Sequence, residues 1–291
     1  MTRTRGTALG VLALLSWASY GVLLASNHVT PPFRSLAIVF TASTLALVIL
    51  RLVRGQGFGS LRGIPPVTLA LGVLGLFGSN CLYIVALAWG GAPVAVNIAA
   101  LSWPVFMVAI LALVRISPAG WLDGLGVFIG FAGVALVGID VGIASFSPPV
   151  LLAVGGAFCW AAYSALRTLV PGGPSDITMY FVAVSAVLSW TITLLFESGP
   201  VPWPEFLRLC VVGAVVVGLA NLMWDLGARY GDPLLLAGVS FLEPLLSTLL
   251  IALFLDVRMG WIETTSLGFL IIAIGCSMLS ERRRRRIMLS L

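Results

Sequence analysis

The feature that most constrains this chain is a series of apolar stretches. Each is close to a bilayer in length and each ends at a charge or at a Pro/Gly cluster. Ten can be drawn, at residues 6–26, 33–53, 67–88, 92–114, 122–139, 148–170, 177–196, 206–229, 233–255 and 262–280. A helix rising about 1.5 Å per residue needs about 20 apolar residues to cross the hydrocarbon. Composition agrees, since 60% of the 291 residues are apolar and 9% are charged, against roughly 25% charged in a soluble domain. One interior cannot bury that much apolar surface, so lipid must solvate most of the chain and a soluble enzyme is excluded. The predicted fold class is an all-α polytopic membrane protein of ten transmembrane helices joined by short loops, with no sizeable extramembrane domain.

The charges then orient the spans. All 16 basic residues are arginine, which excludes a retinal protein, whose Schiff base needs a lysine. The net charge of +5 is not a nucleic-acid footprint, because five of the arginines form one terminal run, Arg282 to Arg286. No nucleic-acid partner is expected. With ten spans, one side holds thirteen arginines (Arg3, Arg5, Arg51, Arg54, Arg62, Arg115, Arg167, Arg229 and the terminal run) and the other holds Arg34, Arg208 and Arg258. Positive residues stay inside, so both termini are expected in the cytoplasm. Trp89, Trp203 and Trp261 then fall at the outer interface and Trp121 at the inner one, as belt anchors. Arg3 and Arg5 before an apolar stretch resemble a signal peptide. No A-x-A-like site follows, however, and Trp17, Tyr20 and Gly21 interrupt the run, so it reads as a retained first helix. The four cysteines show no CxxC spacing and His28 is the single histidine. No metal site and no cofactor are expected.

The two halves, 1–146 and 147–291, echo each other at a spacing of about 140 residues. Ser16-Trp17-Ala18-Ser19-Tyr20 answers Cys159-Trp160-Ala161-Ala162-Tyr163. Asn80 answers Asn221, Pro93 answers Pro233, Pro104 answers Pro244 and Trp121 answers Trp261. Five helices per half is an odd number, so the second half is expected to insert upside down. Inverted repeats are an architecture of secondary transporters, with the site at the interface of the halves near the midplane.

Polar and aromatic groups cluster near that depth. At helical spacing Trp17 shares a face with Tyr20, Trp160 with Tyr163, and Asn80 with Tyr83. Asn221, Trp224 and Asp225 share a face of the eighth helix, and Ser240, Glu243 and Ser247 a stripe of the ninth. The fourth helix offers Asn97 and Trp103. These aromatics serve either as pocket walls or as helix packing, and the spacing alone fits both. Trp190 has no polar residue on its face, which points to packing. Glu243 and Asp225 are acids well inside spans, where an uncompensated charge is costly. Asp225 precedes Arg229 by four residues, so an intrahelical ion pair competes with a site role. Glu243 has no cation on its own helix and occupies the position that Trp103 holds in the first half. Pro104 and Pro244 should free the carbonyls of Ala100 and Ser240, as hinges or gates or as static bends. Gly72, Gly75, Gly78, Gly126, Gly130, Gly133, Gly268 and Gly275 read as close helix packing.

Phe241-Leu242-Glu243-Pro244, Ile251-Ala252-Leu253-Phe254-Leu255-Asp256 and Leu267-Gly268, within ten helices in two halves, resemble the drug/metabolite transporter superfamily, EamA type. Two departures stand out: Asp256 where Glu is usual, and Trp103 where the pattern allows an acid. Ser16-Trp17-Ala18, Asn80-Cys81-Leu82-Tyr83 and Leu101-Ser102-Trp103-Pro104 are similar to the bacterial aromatic amino-acid exporters within that superfamily. The resemblance implies an exporter in the bacterial inner membrane, surrounded by lipid and working by alternating access; the residues leave the oligomeric state open, with a monomer favoured. Helices 1, 3, 4, 6, 8 and 9 would line the cavity. Its small-molecule substrate would be an aromatic or hydrophobic amino acid or a related amphipathic metabolite, whose ring the aromatic wall would stack. A multidrug or other metabolite carrier is the alternative within the superfamily. An integral-membrane lipid-modifying enzyme would need an Asp-rich or His-rich cluster at an interface, and the short loops contain none.

Overall fold

In lipid every backbone polar group must be satisfied within its own segment, which leaves the helix as the economical solution for apolar runs of this length. A computed structural model of the chain describes residues 1–19, 30–57, 63–89, 96, 99–100, 102–114, 120–140, 148–167, 169–170, 176–254 and 260–289. Among them the helices are α1 (Arg3–Ala18), α2 (Pro32–Val53), α3 (66–88), α4 (Trp103–Leu113), α5 (Trp121–Asp140), α6 (Pro148–Leu166), α7 (Thr178–Phe196), α8 (203–230), α9 (Pro233–Val239 and Leu242–Phe254) and α10 (Trp261–Leu289). Each falls on one predicted stretch. Six segments, in α2, α3, α6, α7, α8 and α10, are long and apolar enough to cross a membrane. The chain is a multi-pass membrane protein.

Helix starts follow local chemistry. Proline, whose missing N–H costs nothing in a first turn, opens α2, α3, α4, α8 and α9. Asp232 caps α9, its Oδ1 accepting from the Leu235 N–H at 3.0 Å. α10 runs to Leu289 rather than stopping near 280. Arginine is a good helix former, and Arg284 is anchored by donating to both carboxylate oxygens of Asp123, at 3.0 and 2.8 Å.

Two features depart from the expected bends. Pro104 lies in the first turn of α4 instead of kinking a continuous helix, and α9 is broken at Ser240 and Phe241, upstream of Pro244. The carbonyl expected to be freed at Ser240 accepts instead from the Glu243 N–H at 3.0 Å, a tight turn that Ser102 and Val105 repeat at 3.1 Å. The second feature is a π-helical segment inside α3 (Leu74–Gly78) and another inside α8 (Val212–Leu219).

Packing is pairwise: α1 with α8, α3 with α6, α2 with α7, and α5 with α10. α4 lies against α6 and α9, and α9 against α1 and α10. The α1–α8 crossing is close because it is built from Gly6, Gly10, Gly227 and Gly231. A Cβ on Gly227 would sit 2.8 Å from the Gly10 Cα. In the α5–α10 pair, Gly126 approaches the Ala273 carbonyl and Gly130 the Phe241 ring, as expected, whereas Gly268 and Gly275 face open space. Outside the bundle, Phe128, Leu194, Phe196 and Leu253 are exposed, as are Trp89, Trp121, Trp203 and Trp261, the pattern of side chains solvated by lipid and its interfaces.

Candidate functional site

Four of the singled-out tryptophans meet in one cluster, although they come from four helices. Trp17 (α1) lies 5.3 Å from Trp160 (α6) and 5.3 Å from Trp224 (α8), centroid to centroid. Trp103 (α4) lies 5.4 Å from Trp224 and 6.4 Å from Trp160. Three of these contacts are edge-to-face, the arrangement the ring quadrupole favours. Trp103 and Trp224 are buried, while Trp17 and Trp160 are only partly so. The polar edges are satisfied: the Trp224 indole N–H donates to Ser164 Oγ at 2.9 Å, and the Trp17 N–H donates to the Val216 carbonyl at 3.0 Å. That carbonyl belongs to the π segment of α8, where the widened turn needs outside donors. Ser43 Oγ serves the Gly213 carbonyl of the same segment at 2.6 Å. In α3, Asn80 Nδ2 donates to Leu76 O at 2.7 Å.

The remaining residues fall into place around the cluster. Partly buried Glu243, from α9, faces the Trp103 side chain. The two residues that hold matching positions in the halves therefore lie side by side. Ser240 is buried, with its hydroxyl turned back to the Leu236 carbonyl at 2.6 Å, and Asn221 is buried on α8. Tyr83 stands apart from the tryptophans and packs with Ala86, Val96, Ala99 and Ala153. Tyr20 and Asn97 lie outside the described residues. Trp190, expected to be a packing residue, donates to Thr41 Oγ1 at 3.0 Å.

Asp225 shows what the sequence reading missed. Its main partner is Arg167 at the end of α6, whose Nε donates to Asp225 Oδ1 at 2.6 Å. The same oxygen accepts from the Tyr163 hydroxyl at 2.9 Å. The same-helix partner Arg229 is farther, at 3.8 Å. The available signal was the stripe Trp160, Tyr163, Arg167 on α6, which places a cation one turn from the aromatics.

Helix-rich architecture, apolar exterior and an interior cluster drawn from both halves define a polytopic carrier rather than a catalytic site. The chain belongs to the EamA-like transporter family, which matches residues 4–139 and again residues 147–280. It is a membrane transporter and not an enzyme. Among named relatives it is similar to the aromatic amino acid exporter YddG of Ancylobacter novellus, with 33% identity over 86% of this chain and 89% of that one. The Escherichia coli protein of the same name is 27% identical over 90% of this chain and 92% of its own length. A crystal structure at 27% identity superposes with a TM-score of 0.87, covering 97% of this chain and all of the other.

Proposed function

We propose that this protein exports aromatic or hydrophobic amino acids across the bacterial cytoplasmic membrane by alternating access. The observation that carries the reading is the interior cluster of Trp17, Trp103, Trp160 and Trp224, with a carboxylate from α9 at its side. The partly buried rings of Trp17 and Trp160 offer faces on which a flat side chain stacks, and Glu243 offers a counter-charge for an ammonium. The names of the relatives favour the same substrate class. Two inverted five-helix halves, 1–146 and 147–291, supply the mechanism. In their favour, the helix contacts pair off as exchange of the halves requires: α1–α8 with α6–α3, and α4–α5 with α9–α10. The π segments also sit about 140 residues apart. Both termini face the cytoplasm on the arginine count. The site comprises the four tryptophans with Asn80, Tyr163, Asn221, Ser240 and Glu243, together with Tyr20 and Asn97, and the breaks at Pro104 and Pro244 act as hinges.

The test is uptake of a labelled amino-acid panel, with a lipophilic cation for comparison, into liposomes holding the pure protein. Selective movement of Phe, Tyr and Trp is expected. Movement of the cation alone sinks the substrate assignment. Glu243→Gln should weaken amino-acid transport while sparing aromatic acids that lack an ammonium.

A further inference from the structure

Arg167 is buried, with a side chain 1% exposed, yet among the described residues its only hydrogen-bonded side-chain nitrogen is Nε, and the enclosed Nη1 and Nη2 meet no acceptor. Its partner Asp225 is fully buried, and the Oδ2 of that carboxylate makes no hydrogen bond. The other groups facing the pair are the Tyr163 hydroxyl on Asp225 Oδ1, Arg229 beside Asp225 Oδ2, and the Phe181 ring, whose centroid is 6.0 Å from the guanidinium carbon. Charged donors enclosed without acceptors are costly, and apolar side chains of the same volume would join α6 to α8 at least as well. What the pair offers beyond packing is two opposite charges and a guanidinium fork matched to a carboxylate. It also adjoins the aromatic cluster. Trp160, Tyr163 and Arg167 follow one stripe of α6, and Trp224, in contact with Trp160 at 6.3 Å, immediately precedes Asp225.

We propose that Arg167 and Asp225 form a head-group subsite for a zwitterion, reached when α6 and α8 part at the end of the bundle that carries the chain termini. At this end the guanidinium takes the α-carboxylate, the aspartate takes the α-ammonium and the side chain lies against Trp160 and Trp224, before the substrate moves on to the centre, where Glu243 receives the ammonium. The zwitterion replaces the Arg–Asp contact one charge for one charge, so the open form is stabilised when loaded. When the substrate leaves, the pair re-forms and the end closes. This deepens the amino-acid reading above and rests on it.

The experiment measures binding of three probes to the purified full-length protein: tryptophan, the indole amine without its carboxylate, and the indole acid without its ammonium. Wild-type protein is expected to favour tryptophan over the amine by roughly tenfold or more, the weight of a charge-assisted hydrogen bond. In R167Q, where Asp225 keeps Tyr163 and Arg229, tryptophan and the amine should bind alike while the preference over the acid survives. The neutral pair R167Q/D225N should in addition narrow the preference over the acid, to what Glu243 alone supplies. Should R167Q not fold, R167K, with charge but no fork, is expected to narrow the tryptophan-to-amine ratio severalfold. A ratio unchanged in these variants, or an equal loss for all three probes, overturns the subsite and leaves a purely structural pair. Wild-type protein that binds none of the probes defeats the amino-acid reading instead.

Discussion

The two ends of the bundle are held together by different means. At the end that carries the termini, arginine–aspartate pairs join helix to helix: Arg3 to Asp232 at 2.6 Å, Arg51 to Asp176, Arg167 to Asp225 at 2.6 Å, and Arg284 to Asp123 at 2.8 Å. These pairs link α1 to α9, α2 to the start of α7, α6 to α8, and α10 to α5. At the opposite end the described charges form one ion pair within a helix and otherwise reach backbone groups. Arg208 pairs with Glu205 within α8, and Glu197 accepts from the backbone N–H groups of Phe33 and Arg34 at 2.9 and 2.7 Å. Buried cross-helix pairs are hard to break singly, because the surviving partner is left as an unpaired buried charge, whereas in the Arg208–Glu205 pair the arginine is partly exposed and water can take it up when it is left alone. Among the described residues the cross-helix ion pairs thus gather at the arginine-rich end, and on the proposed orientation that end faces the cytoplasm.

Labelling from the two sides of the membrane decides which end is which. With the native cysteines replaced, a cysteine at Ser290 should label only from the cytoplasm and one at Ser198 only from outside; labelling of both from outside ends the ten-helix orientation. Next in size is the contrast in stability between the two ends. Asp225→Ala, which leaves Arg167 buried and uncompensated, should cost about 3–5 kcal/mol, while Glu205→Ala, which leaves the partly exposed Arg208 to water, should cost about 1 kcal/mol. Thermal unfolding in detergent reads both, and equal losses would remove the asymmetry. Gly227→Ala, at the α1–α8 crossing, should overpack against Gly10 and cost about 1–3 kcal/mol. Gly268→Ala, with open space around it, should be neutral or stabilising by up to about 1 kcal/mol. The smallest expected effect is at the aromatic cluster. Trp160→Ala should weaken binding of an aromatic amino acid by about 2- to 13-fold, the equivalent of about 0.5–1.5 kcal/mol for one stacked ring, with little change in unfolding temperature.

Most of this architecture is legible in the residue order because the bilayer allows so few solutions. Ten apolar runs of bilayer length become ten helices, and mid-span placement puts Trp17, Trp103, Trp160 and Trp224 at one depth, while which of them touch is set by the helix neighbours. Three things are not legible, each for a physical reason. The partner of Asp225 is a matter of which helices adjoin. Helical spacing names Arg229 as the candidate, and only the α6–α8 approach brings Arg167 closer. The breaks near Pro104 and Pro244 look like kinks because proline predicts a lost hydrogen bond without saying whether the chain bends or restarts. Gly268 and Gly275 match the small-residue pattern of close packing, but a small residue can equally face open space.

The π segment of α8 carries a consequence for how the two halves stay in phase. Val212-Gly-Ala-Val-Val-Val-Gly-Leu219 is uniformly apolar and small, and the extra residue in its wide turn shifts everything downstream by about 100° around the helix axis relative to a regular helix. Asn221, Trp224 and Asp225 all lie downstream. The bulge therefore works like the offset tooth of a gear, and shortening the segment by one residue would turn Asp225 away from Arg167 and Trp224 out of the tryptophan cluster together. An alteration that removes no charge and no ring would uncouple the aromatic centre from the closure beneath it.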